Sequence, residues 1–170
     1  MSRTAVRNQI ATYLEGANVT FLNSVKKFPA KFTSEMEFFQ GEDPGHSSGC
    51  MVYLYIATQK ETRIAVGGAH NGRKAVEYDF VLDCFMRSTH RKSEDAGVDN
   101  DSFLDSLVTA IRADRNAGNA SLIFQWGEGN FPGGVDLDIT SYYPRTINGS
   151  ATTMQVYSQV RVTVIEIDNT

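Results

Sequence analysis

Residues 74–87, KAVEYDFVLDCFMR, alternate between two kinds of side chain for about six pairs. Val76, Tyr78, Phe80, Leu82, Cys84 and Met86 occupy the even positions, while the odd positions include Glu77, Asp79, Asp83 and Arg87. A strand has a side-chain period of two, so the pattern predicts a long strand with one face on a core and the other toward water. Sliding it by one residue would bury three carboxylates, which fixes its register.

The rest of the chain supplies partners for that strand. Ser2 is a candidate N-cap, and Val6, Ile10, Tyr13, Leu14 and Ala17 recur at helical spacing, with Gly16 and Asn18 marking the stop. In VTFLNSVKKFPAKFTSEMEFF, apolar pairs are interrupted by lysines and Pro29, which predicts short extended pieces along a sheet edge. GEDPGHSSG reads as a loop before CMVYLYIAT, a well-covered strand, with residues 62–66 expected to pair back onto it. SEDAGVDNDS supplies acidic capping residues for a second helix, whose stripe is Phe103, Leu104, Leu107, Val108 and Ile111 and which continues to about Arg115. Leu122 to Trp126 is a short apolar run. Val135, Leu137 and Ile139 alternate with Asp136 and Asp138 as a strand or β-arm, and Met154 to Val164 alternate as a final long strand.

These elements predict an α/β protein of the α+β type, with a mixed, largely antiparallel sheet of four to six strands and two helices packed on one face. At 170 residues with 41% hydrophobic content, one domain spanning residues 1–170 is expected, with a loop or β-arm insertion at about 116–150. The formal net charge of −4 argues against a general basic field for gripping phosphates. Polar residues at the N-terminus and the lack of any long apolar run point to a soluble protein made in a cytoplasm.

No motif commits the chain to chemistry. Cys50 and Cys84 form neither a CxxC pair nor a metal set and read as small buried hydrophobes. Gly45-His46-Ser47-Ser48-Gly49 has the G-x-S-x-G form of a nucleophile elbow, but a loop precedes it and a strand follows, the wrong order for that turn. GEGNFPGG lacks the lysine and hydroxyl of a phosphate loop, and His46, His70 and His90 are scattered. The expectation is no catalytic residue, no cofactor and no metal. Glu77, Asp79 and Asp83 share one strand face, which reads as a solvated acidic surface before it reads as a cation site. Phe131, Tyr142 and Tyr143 sit in a glycine-jointed segment with more aromatic surface than an idle loop leaves in water, so they are candidate interface anchors; an ordinary strand packed inside the monomer is the alternative.

The order of an amphipathic N-terminal helix, TFLNSVKKFPAKF, the strand MVYLYIA, the strand EYDFVLDCFMR, the helix DSFLDSLVTAI and a last long strand resembles the tail terminator proteins of long-tailed bacteriophages. The similarity covers residues 2–115 and the terminal strand; residues 116–150 depart from it by their length. The resemblance implies a structural virion protein rather than an enzyme: a homo-oligomeric ring, in this family a hexamer, assembled in the host cytoplasm and located at the head-proximal end of the tail. Its implied partners are the tail tube protein and a head-neck connector protein, with DNA passing through unbound and no membrane contact. Glu77, Asp79 and Asp83 are then candidates for an acidic lumen. A neck or head-completion connector is the neighbouring alternative, and a small serine hydrolase using Ser47 or Ser48 is the alternative of a different class.

Overall fold

The structure, a computed structural model, describes residues 2–28, 48–63, 74–88, 93–114, 116–119, 122–124, 137–142 and 154–168. Helix α1 (Arg3–Gly16) leads into strand β1 (Leu22–Lys26), β2 (Gly49–Arg63) and β3 (Lys74–Ser88); helix α2 (Ser93–Ala113) then precedes β4 (Leu122–Phe124), β5 (Leu137–Tyr142) and β6 (Met154–Asp168). The sheet order is β1-β2-β3-β6-β4, with β5 also pairing β6. β4 and β5 occupy one lane in succession, because β4 pairs with residues 164–166 of β6 and β5 with residues 157–162. Only β1 and β2 run parallel among these pairs, so the sheet is mixed and largely antiparallel, as the patterning predicts.

β3 lies at the centre, pairing with β2 on one side and β6 on the other along almost its whole length. Its even residues Val76, Tyr78, Phe80, Leu82, Cys84 and Met86 are buried together with Val52 and Leu54 of β2 and Val160, Val162 and Val164 of β6. Both helices cover this one face. α1 contributes Val6, Ile10, Ala11 and Leu14, and α2 contributes Phe103, Leu104, Leu107, Ala110 and Ile111, to the same core. α1 packs over β1 and β2, and α2 over β3 and β6. The two helices are tied by Tyr13, whose hydroxyl donates to the Ala110 carbonyl at 2.5 Å, and Gln9 Nε2 donates at 2.7 Å to the carbonyl of Ala117 in the turn beyond α2.

The local signals at α1 act as read. The Ser2 hydroxyl accepts from the Ala5 amide at 3.2 Å, and Asn18 leaves the helix with φ of 52°, a left-handed conformation that asparagine adopts more readily than most residues. α2 differs from expectation: it begins at Ser93, so SEDAGVDNDS is helix and not a cap. Ala96 and Asn100 are fully buried and extend the inward stripe by two turns ahead of Phe103. β2 also differs, because Thr62 and Arg63 belong to it and do not fold back onto it. Its polar second half pairs with β3 through the backbone, and a bulge at Ala57, between the pairs Ile56 to Phe80 and Thr58 to Asp79, resets the alternation. Arg3 donates from Nη2 to the Ile56 carbonyl at 2.8 Å beside this bulge. Cys50 and Cys84 are free thiols buried on adjacent strands.

Candidate functional site

The face of the sheet turned away from both helices carries a cluster of polar and aromatic side chains. Period two places Asp83 of β3 there, level with Tyr53 of β2 and Gln159 of β6; the neighbouring rungs bring Tyr55, Val81 and Arg161 on one side and Met51, Phe85 and Tyr157 on the other. The Asp83 carboxylate accepts from the Tyr157 hydroxyl at 2.7 Å and from Gln159 Nε2 at 3.0 Å, both at Oδ1. Gln159 Nε2 also lies 3.2 Å from the Tyr157 hydroxyl. Below these tips is an aromatic floor, with Tyr53 edge-on to Phe85 at 5.4 Å between ring centroids and Phe85 tilted against Tyr157 at 5.1 Å.

Burial of the Tyr157 ring, then its hydrogen bond to Asp83 and the charge of that carboxylate, push the phenol pKa well up from 10.0. Tyr55 is raised by burial first and by Asp83 next, with Arg161 opposing. Both phenols therefore remain protonated donors at neutral pH, and what the cluster supplies is fixed hydrogen-bonding tips on a hydrophobic base.

The sequence-predicted residues fall on this face in different surroundings. Glu77 and Asp79 are half-buried farther along β3, Glu77 beside Lys60 and Asp79 beside Thr58 and Thr163. Asp83 lies four residues beyond Asp79, roughly 13 Å at strand rise, so the three carboxylates do not converge. Among the described residues no group of three histidine, cysteine or acidic side chains is placed to hold a metal ion. Nor is the whole face wet, because Val81, Phe85 and Arg87 are buried. Tyr142 lies opposite Tyr157 on β5, while Phe131 and Tyr143 fall outside the described residues.

A second polar group sits where α2 meets the sheet. Asp99 Oδ2 accepts from Ser48 Oγ at 3.0 Å and from Ser88 Oγ at 2.6 Å, which ties the start of β2 and the end of β3 to the helix. Ser158 Oγ donates to Asn100 Oδ1 at 3.2 Å and lies 2.9 Å from Ser141 Oγ of β5. Ser48 is thus a donor to a carboxylate; Ser47, His46, His70 and His90 fall outside the described residues.

Tyr157, Gln159, Tyr55 and Phe85 were not singled out by sequence pattern. The available signal was an aromatic residue at an odd position in each of three strands, out of phase with the apolar series. The sequence matches no protein-family model, and no curated protein matches it. Among the described residues no helix is long and apolar enough to cross a membrane.

Proposed function

We propose that this chain is a structural virion protein of the tail terminator kind, a ring that stops growth of a phage tail tube and offers a surface for head joining. The observation that carries the reading is the succession of elements: an amphipathic helix, a buried strand, a central alternating strand, an acidic-started helix and a last long strand now stand as α1, β2, β3, α2 and β6 in one sheet-and-helix unit. That succession is what resembles the family. A sheet covered by helices on one face leaves its other face for contacts, and the Asp83–Tyr157 cluster there has the aromatic, polar-tipped make-up favoured at protein interfaces.

The mechanism is occupancy of an interface. One face of the ring docks on the last tube ring, and the other accepts no further tube subunit. Six copies would carry 6 × −4 = −24 formal charges, and a lumen holding part of that charge would repel DNA phosphates during passage. Glu77 and Asp79 are the candidates for such a lining, since Asp83 is engaged by Tyr157 and Gln159.

Electron microscopy of tail tube subunits polymerising with and without the protein tests the proposal. Rings on one end of tubes of limited length are expected. Tubes that grow equally long with bare ends, together with a protein that never forms rings, would rule it out.

A further inference from the structure

Among the described residues the two most exposed large apolar side chains are Phe28, 62% exposed, and Val98, 61% exposed. Each is set in charge, and the two charges are opposite. Phe28 follows the exposed Lys26 and Lys27 at the end of β1, and the Arg7 guanidinium lies over its ring, 4.1 Å from the centroid. Val98 stands on α2 in a stripe with Glu94, Asp101 and Asp105, spaced by 4, 3 and 4 residues and all exposed. That stripe points away from the sheet, because the opposite side of α2 carries Phe103, Leu107 and Ile111 into the core.

The patches belong to different flanks of the helix layer, the basic one where α1 covers β1 and β2, the acidic one on the helix over β3 and β6. We infer that the occupant of each patch is the other patch on a second copy of this chain, so that copies join head to tail through Phe28 and its lysines against Val98 and its carboxylates. An apolar centre with a charged rim of matched sign gives both cohesion and register. Because the two surfaces differ, the contact is heterologous and propagates, closing into a ring if the rotation permits. This rests on the ring reading above and names the surfaces that would build it.

A pair of charge-reversal variants tests it. Lys26→Glu/Lys27→Glu makes both patches acidic, and Asp101→Lys/Asp105→Lys makes the stripe basic beside an unchanged basic corner; all four side chains are exposed, and circular dichroism checks that each variant folds. Like charges meeting across the contact should weaken self-association of each variant at least about tenfold. Mixing the two restores opposite charges at every contact, so sedimentation of the mixture should return the wild-type assembly mass while neither variant does so alone. High salt should weaken the wild-type assembly. A wild-type chain that stays monomeric alone and with tube subunits overturns both this contact and the ring. A wild-type ring indifferent to both reversals, or folded variants that stay monomeric when mixed, overturns this contact and leaves the ring standing.

Discussion

Tyr78 of β3 donates its hydroxyl to Glu166 Oε2 of β6 at 2.9 Å, and the two side chains are 1% and 2% exposed on the helix side of the sheet. The pair is diagonal across the ladder, since Tyr78 lies level with Val164 and Glu166 with Val76. A carboxyl group that far from water depends on its hydrogen-bond partners.

Tyr78→Phe should therefore destabilise the protein by about 1–3 kcal/mol, the range for leaving a buried acceptor without its donor. Urea denaturation of Tyr78→Phe, Glu166→Gln and the double variant gives the coupling between them. Losses that simply add would mean that the pair shares no energy.

Leu104→Ala and Leu107→Ala test the core beneath α2. Leu107 is fully buried and Leu104 is 8% exposed, both packed in the cluster that holds Phe80 and Leu82. Truncation should cost about 2–5 kcal/mol at Leu107, with Leu104 toward the low end because it keeps some contact with water. Chemical denaturation is the measurement, and a loss below about 0.5 kcal/mol at Leu107 would contradict this packing.

The alkaline limb of stability should depend on Tyr157. Its folded pKa is raised above the ordinary 10.0, so above that pH the unfolded chain loses the phenol proton while the folded chain keeps it. The unfolded state then binds fewer protons, and stability falls as pH rises from about 10 toward the folded pKa. Below pH 10 both states are protonated, and this contribution is fully present. Tyr157→Phe should flatten the fall, measured as the urea midpoint against pH, without abolishing it, because Tyr13, Tyr55 and the Cys50 thiol, each raised first by burial, contribute with the same sign. An unchanged slope in the variant would remove Tyr157 from the account.

Much of the helix side of the sheet was legible because its physics is periodic. β3 and β6 lie under α2 in a core shared with α1, so every even residue from Val76 to Met86 meets the same apolar layer and the alternation in sequence reports it directly. Glu166 broke that pattern from within. Its inward position depends on a hydroxyl 88 residues away in sequence, and no local window contains both. Ser88 and Asp99 are only 11 residues apart, yet their bond, which ties the acidic first half of α2 to the end of β3, depends on how the helix sits on the sheet and leaves no mark in the residue pattern. β2 was read too short because its second half, Thr58 to Thr62, is exposed and polar; backbone pairing to β3 requires no apolar side chain. On the helix-free face, Phe85 and Val81 interrupt a polar series, and their burial reflects neighbours on other strands. The Asp83–Tyr157–Gln159 cluster joins β3 to β6 and is visible only once the register is known.

The bulge at Ala57 makes β2 unequal in its tolerance of a change in length. Without Ala57, Ile56 opposite Phe80 would be followed directly by Thr58 opposite Asp79, and both halves of the strand would keep their faces in an unbroken ladder. Loss of one residue anywhere between Cys50 and Leu54 would instead invert the segment on one side of the gap, turning Tyr53 inward or a core residue out. One position in this strand can thus be lost by deletion without rewriting either face, and it lies beside the carbonyl that Arg3 holds.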